Sequence, residues 1–313
     1  MTAVGEAGSF SRTARLMKRA TYASVTVAGA MIAIKLAAWI MTDSVSMLSS
    51  LLDSLFDAAA SVLNLIAVRQ AVTPADHEHR FGHGKAEPLA GLGQAAFIGG
   101  SAVFLFIEAA HHLVQPAPTY NTVLGIAVMG VAIALTLGLV LYQRHVIRQT
   151  GSLVVSADEL HYRSDIILNA SVIVSLAVSG YFGWPYADPL FGIAIGIWII
   201  WGAWLVAKKA IIQLMDRELP DEQRARIREI VLAHPEVTAV HDLRTRASGP
   251  TAFIQVHIEM DGKMTLAEAH RVSDEVEGSL LQAFPRAEVI IHQDPAGVEE
   301  PHRIFPSASR QAR

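Results

Sequence analysis

The chain has 313 residues, 52% hydrophobic and 17% charged, with a mean hydropathy of +0.36 and a formal net charge of −4. That balance argues for a membrane protein over a soluble one and gives no general footing for nucleic acid. With no cysteine, disulfide frameworks, thiolate zinc sites, iron–sulfur ligation and cysteine nucleophiles are excluded, so any metal must be held by His and carboxylate.

Charge is also unevenly placed. Residues 1–210 carry 25 Asp, Glu, Lys and Arg, whereas the much shorter stretch 211–313 carries 29, which implies one part in lipid and one in water. Residues 1–20 hold Arg12, Arg15, Lys18 and Arg19 but no short apolar region ending in a cleavage site, so they read as a retained cytoplasmic tail. Crossing about 30 Å of hydrocarbon takes roughly 17–25 apolar residues. Six stretches qualify, at 21–41, 45–68, 88–114, 122–142, 160–181 and 187–207, which predicts a six-helix transmembrane domain over 21–210. An even number puts both ends on one side. The loops 42–44, 115–121 and 182–186 lack Lys and Arg, whereas the other connections carry Arg69, Arg80, Lys85, Arg144, Arg148, Lys208 and Lys209, so both termini are expected in the cytoplasm. Lys35 is the exception inside a span; its long stem can snorkel or face a partner helix.

Past Met215 the pattern changes to short amphipathic segments: a helix near 221–233, strands near 239–246 and 252–260, a helix near 266–284 and a strand near 287–293. This αββαβ order predicts a small α+β, metallochaperone-like cytoplasmic domain over 211–297, a sheet covered on one face by two helices. In the second strand Ala252, Ile254, Val256, Ile258 and Met260 alternate with Phe253, Gln255, His257 and Glu259, so His257 should point away from the apolar face. Residues 298–313 are expected to form a disordered tail.

Ionisable residues mark three candidate sites. In the second span Asp53 and Asp57 are four residues apart, on one helix face, and the fifth span repeats the spacing with His161 and Asp165. Ionised side chains at membrane depth cost about 2.5–3.5 kcal/mol on insertion scales and normally face a cavity with a function. Two such pairs make a four-ligand pocket suited to zinc, with no position left open for catalysis; interhelical hydrogen bonding or a proton relay without metal is the alternative, and it is the better reading for Asn64 and Asn169 in the same spans. In the loop after the second span, Asp76, His79 and His83 form a second candidate set, with His77 or water completing it, against the alternative of a merely solvated loop. A third group, His241, His257, His270, His292 and Asp294, is spread over successive elements of the soluble domain and can converge if the sheet packs as predicted.

The string Thr42-Asp43-Ser44-Val45-Ser46-Met47-Leu48, then Asp53-Ser54-x-x-Asp57, Phe81-Gly82-His83-Gly84-Lys85-Ala86-Glu87 and His161-Tyr162-x-Ser164-Asp165, resembles the cation diffusion facilitator family. His241-Asp242-Leu243-Arg244-Thr245-Arg246 and Ile290-Ile291-His292-Gln293-Asp294-Pro295 are similar to its bacterial YiiP branch of ferrous-iron and zinc efflux proteins. The resemblance runs in order from about Arg12 to Pro295. It implies a homodimeric antiporter of the bacterial inner membrane that exports zinc or cadmium, with ferrous iron a further candidate, in exchange for protons. It further implies that Asp53, Asp57, His161 and Asp165 form the transport site, that Asp76, His79 and His83 form a loop site, and that His241, His257, His270, His292 and Asp294 form a cytoplasmic two-metal site bridged by Asp294, with Gln293 as a possible backbone contributor. Lys85 and Asp216 match a charge pair that holds the subunits together at the membrane surface, and Leu160 matches an apolar gate. His77 is a departure, standing where a relative in that family has a carboxylate.

Carboxylates and neutral imidazole bind metal only when deprotonated, so metal loading releases protons and protonation expels metal. His161 is the natural proton carrier, because an unperturbed imidazole titrates near pH 6.5 (about). An intramembrane metalloenzyme is disfavoured, since the chain has no H-E-x-x-H motif and a four-ligand site is already full. A membrane-anchored metal sensor is the other rival.

Overall fold

The computed structural model describes residues 3–42, 45–114, 123–182 and 187–298, which form two compact units: 3–217 with Ala247–Thr251, and Glu218–Arg246 with 252–298. Loops 42–44, 115–121 and 182–186 lie wholly or largely outside the described residues, as does nearly all of the expected tail.

The first unit contains helices α1 (Ala3–Thr42), α2 (Val45–Ala71), α3 (Ala86–Val114), α4 (Val123–Thr150), α5 (Leu153–Phe182) and α6 (Ala187–Leu214). The positions read as an N-terminal tail are thus helical from Ala3 onward. Among the described residues, five of these helices are long and apolar enough to cross a membrane by length and composition. α5 is not among the five; its first half carries Asp158, Glu159, Arg163 and Asp165. α5 also begins at Leu153 and not near 160. Its start is built from polar groups that hydropathy ignores: the Ser152 hydroxyl accepts the Val155 N–H at 3.3 Å, and Glu87 accepts the Leu153 N–H at 2.6 Å and the Ser152 hydroxyl. Gly151, at φ 66°, accomplishes the tight reversal from α4, a left-handed conformation that a side chain would strain.

The membrane unit packs through small residues. Ala95, Ala102, Ala157, Ala203 and Ala210 are buried with Ile98, Leu160, Ile195 and Ile199 where α3, α5 and α6 meet. In lipid, close backbone approach supplies the dispersion contact that hydrophobic burial supplies in water. Gly202 is the limiting case: a Cβ there would lie 2.8 Å from Cδ1 of Leu160.

The second unit follows the expected αββαβ order: α7 (Asp221–Leu232), β1 (Ala239–Ser248), β2 (Thr251–Met260), α8 (Leu266–Ala283) and β3 (Ala287–Pro295), with sheet order β1-β2-β3. Two residues, Gly249 and Pro250, join β1 to β2, a connection only a hairpin can use. β2 and β3 run parallel, with α8 as the crossover. Ile254, Val256, Ile258 and Met260 from β2 bury against Ile227 and Val231 of α7 and Val272, Val276 and Leu280 of α8. At roughly 1.5–3 kcal/mol per fully buried aliphatic side chain, this face stabilises the domain. The opposite face carries Gln255, His257 and Glu259 of β2 beside Phe253.

Candidate metal centres

α2 and α5 bring Asp57, His161 and Asp165 together, with ligand atoms all within 4.8 Å of one another. His161 Nε2 lies 2.9 Å from Asp57 Oδ1 and 3.8 Å from Asp165 Oδ2. The i,i+4 spacing places His161 and Asp165 on one face of α5, and α2 brings Asp57 across to meet them. Asp53, one turn before Asp57, is not within that triad but lines the same cavity of about 200 Å³ together with Asp57, Asp165, Asn169 and Lys35. Phe97 presents its edge to the His161 ring from α3, with centroids 6.0 Å apart. Leu160, the position before His161, is buried in the α3–α5–α6 core and packs on Gly202.

α5 is held in place by a network just before these ligands. Asp158, buried, accepts hydrogen bonds from Ser24 of α1 at 2.5 Å, Asn64 of α2 at 3.0 Å and Gln143 of α4 at 2.7 Å. One carboxylate thus ties four helices together, one turn from His161. Tyr162 adds a 2.8 Å hydrogen bond with Ser61 of α2. Asn64 therefore makes the interhelical hydrogen bond expected of it, and Asn169 faces the cavity.

In the loop, Asp76 lies 3.4 Å from His79 Nδ1 and 3.3 Å from His83 Nε2, and the two imidazole rings are 4.5 Å apart. Asp76 also accepts the backbone N–H groups of His79 and Glu78, and the first of these chiefly holds its carboxyl below the usual range, outweighing its desolvation. His83 Nδ1 is buried without a hydrogen-bond partner. His77 is not part of this cluster; it lines an adjoining cavity with Asp76 and Arg80. Lys85 Nζ reaches Asp216 Oδ2 at 2.9 Å within one chain, so the charge pair joins the start of α3 to the end of α6. Both side chains are 41% exposed, and such a pair contributes about 0–1 kcal/mol.

In the cytoplasmic unit the parallel register pairs His257 with His292 and Glu259 with Asp294, which puts all four on the sheet face turned away from the helices. His257 Nδ1 lies 2.9 Å and His241 Nε2 3.3 Å from Asp294 Oδ2, and His241, His257 and Asp294 offer donors within 4.8 Å of one another. His292 Nε2 approaches the other oxygen, Oδ1, at 3.2 Å without hydrogen-bonding geometry, so that buried oxygen has no hydrogen-bond partner. A cation between the imidazoles and this carboxylate fits these donors, and the orphaned oxygen is free to take a second one. Burial pushes the Asp294 carboxyl up, but the His257 hydrogen bond and the neighbouring imidazoles outweigh it and leave it below the usual carboxylate range. His270 is not brought into this group: it is 71% exposed on α8 and lies 3.6 Å from Asp274. Gln293 points the other way, donating to Ser273 of α8 at 2.8 Å.

Two residues with a place at these sites are absent from the ligand sets read from the sequence. Glu259 lies 3.6 Å from His241, and its alternation with His257 in β2 was the available signal. Asp158 had none, since its partners come from three other helices.

Residues 21–215 match the cation efflux transmembrane domain, and 219–296 match the cytoplasmic domain of cation efflux proteins. The cation-efflux pump FieF of Klebsiella pneumoniae subsp. pneumoniae is 50% identical over 284 residues, covering 91% of this chain and 94% of that one. FieF of Salmonella choleraesuis is 49% identical with the same coverage. Among solved structures, the zinc form of CzrB, described as a zinc transporter, is 39% identical over 27% of this chain and 98% of its own, with a TM-score of 0.26. The metal-bound C-terminal domain of the CzcD transporter from Thermotoga maritima is 29% identical over 26% of this chain and 100% of its own, with a TM-score of 0.24.

Proposed function

Since this chain belongs to the cation diffusion facilitator family of cation-efflux transporters, we propose that it exports zinc, and also cadmium and ferrous iron, from the cytoplasm by alternating access in exchange for protons. The observation that carries this reading is the convergence of Asp57, His161 and Asp165, with Asp53 on the same cavity, between two helices of the membrane unit. Three carboxylates and one imidazole suit zinc and cadmium, which accept four ligands, better than manganese, which prefers more oxygens. Each ligand binds the ion only in its deprotonated form, so proton uptake and metal release are linked at the same atoms. Leu160 is the apolar gate, packed against Gly202 beside the site.

The protein works as a homodimer in the inner membrane with both termini cytoplasmic. The Lys and Arg distribution supports that orientation. In the cytoplasmic unit, His241, His257, His292 and Asp294 hold resident zinc that supports the dimer or senses cytoplasmic metal, and His270 joins by rearrangement of its exposed side chain. Asp76, His79 and His83 form the loop site, and Lys85 with Asp216 steadies the membrane-surface contact between subunits.

The test uses purified full-length protein in liposomes with a zinc dye and a pH dye, across zinc, cadmium, iron and manganese. Zinc accumulation with matched proton counterflow is expected, and Asp57→Ala should remove it while metal stays on the cytoplasmic unit. Normal uptake by Asp57→Ala would move the site elsewhere. Uptake without proton movement would overturn the coupling.

A further inference from the structure

Lys35 lines the transport cavity without being a metal ligand. It lies about two turns before the end of α1, half-buried, and its ammonium donates to the Ser50 carbonyl at 3.0 Å and the Ser54 hydroxyl at 2.7 Å. Ser50, Asp53, Ser54 and Asp57 follow one another at helical spacing, so the two groups that hold the ammonium share a face of α2 with two of the carboxylates. The charges acting on Lys35 are Asp57, Asp53 and Asp165, the three carboxylates of the cavity. An ammonium has three donors, and α2 takes two of them.

Building on the transport-site reading above, we propose that Lys35 is a tethered counter-cation of the transport cavity, whose positive charge limits how tightly the divalent ion is held and so favours its release. Without it, three carboxylates would face one another across α2 and α5 whenever the ion is away, and a charge inside a membrane span is expensive unless balanced. With it, the empty cavity carries a partial balance that never leaves the protein. A divalent ion among the carboxylates is repelled by the same ammonium. Transport requires binding weak enough to let go, and a fixed like charge nearby supplies that weakening at the site itself. Ser50 and Ser54 set the distance. They hold the ammonium on α2, so it does not swing fully onto the carboxylates and compete with the ion outright.

Two substitutions separate this role from simple stapling of α1 to α2. Lys35→Gln removes the charge and keeps a side chain able to bond Ser54. It should lower the zinc KM in proteoliposomes by about tenfold, the effect of deleting a like charge several ångströms from a divalent ion when water in the cavity keeps the effective dielectric near that of bulk water, and should lower kcat because release slows. Lys35→Arg should stay near wild type. Ser54→Ala keeps the charge but loosens its tether, so KM should rise several-fold. Opposite shifts in KM are the signature, because loss of a packing contact alone has no reason to move the two variants in opposite directions. Unchanged KM in Lys35→Gln, or shifts of the same sign in both variants, would overturn the proposal. If Lys35→Gln does not insert, Ser54→Ala decides, with an unchanged or lowered KM counting against the tether. Asp57→Ala run in parallel separates the two readings: activity in that variant sinks the transport site itself, whereas its loss beside a wild-type Lys35→Gln sinks only the role of Lys35.

Discussion

The membrane triad and the cytoplasmic triad present the same ligand types on different scaffolds. Asp57, His161 and Asp165 sit on two helices, and the spacing within each helix fixes which side chains share a face. His241, His257 and Asp294 sit on three strands, where convergence depends on register between segments distant in sequence. The membrane triad is held by a buried network of Asp158, Ser24, Asn64 and Gln143, while the cytoplasmic one rests on a sheet whose other face is packed by helices. The contrast teaches that one ligand set can be made rigid by polar ties in lipid and by an apolar core in water.

The sharpest way to break the comparison is to delete one carboxylate from each triad. Asp165→Ala should reduce zinc uptake by on the order of 100-fold or more, since even outer-shell changes at metal sites cost 10–100-fold. Asp294→Ala with His241→Ala should leave the membrane triad intact, but remove zinc-dependent stabilisation of the dimer. That stabilisation is about 2.7 kcal/mol with zinc at a hundred times its dissociation constant, read by dimer dissociation with and without zinc. Equal loss of uptake in both variants would mean that the two sites are not separate in role.

The next test concerns what holds α5. Asp158→Leu removes the acceptor of Asn64 and one acceptor each of Ser24 and Gln143, which keep the Ala20 carbonyl and the Ser24 hydroxyl, and a stranded buried donor costs about 1–3 kcal/mol. Thermal unfolding of the detergent-solubilised protein should show the membrane unit destabilised, with the cytoplasmic unit unaffected. Asp158→Asn, which keeps an acceptor, should lose less.

The smallest effects belong to the cytoplasmic unit's surface. α8 begins with a capping box in which the Glu268 N–H donates to the Thr265 hydroxyl and the Glu268 carboxylate accepts from Thr265. Thr265→Ala should cost about 1 kcal/mol of that unit's stability. The Thr265 backbone N–H holds the Glu268 carboxyl below its usual value, so its contribution is complete above the unfolded-state pKa and fades as pH falls through the lower folded value. The protection factor at the α8 amino terminus, exchange corrected for the intrinsic slowing of amide exchange in acid, should therefore fall on acidification below the ordinary glutamate range, and less so in Thr265→Ala.

The helical half of the candidate site was legible because i,i+4 periodicity is local: Asp53, Asp57, His161 and Asp165 can be placed on faces without knowing which helices touch. The alternation in β2 likewise gave His257 its side of the sheet. The start of α5 was not legible, since Glu87 and Ser152, 65 residues apart, cap it together and hydropathy sees only an interruption by charge. His270 was grouped with the other cytoplasmic histidines because they fall on successive elements and match the family's two-metal site, and here α8 leaves it 71% exposed beside Asp274.

By itself the sequence determined the two solvents, the order of elements and the faces on which ligands could lie, because hydropathy, charge and the periods of helix and strand are written within short windows. Tertiary structure alone decided which faces meet. It brought Asp57 to His161, gave Asp158 donors from three helices, set Lys35 against Ser50 and Ser54, and let the β2–β3 register align Glu259 with Asp294. These are contacts between distant segments, chosen by packing of the whole unit, and no local pattern encodes them.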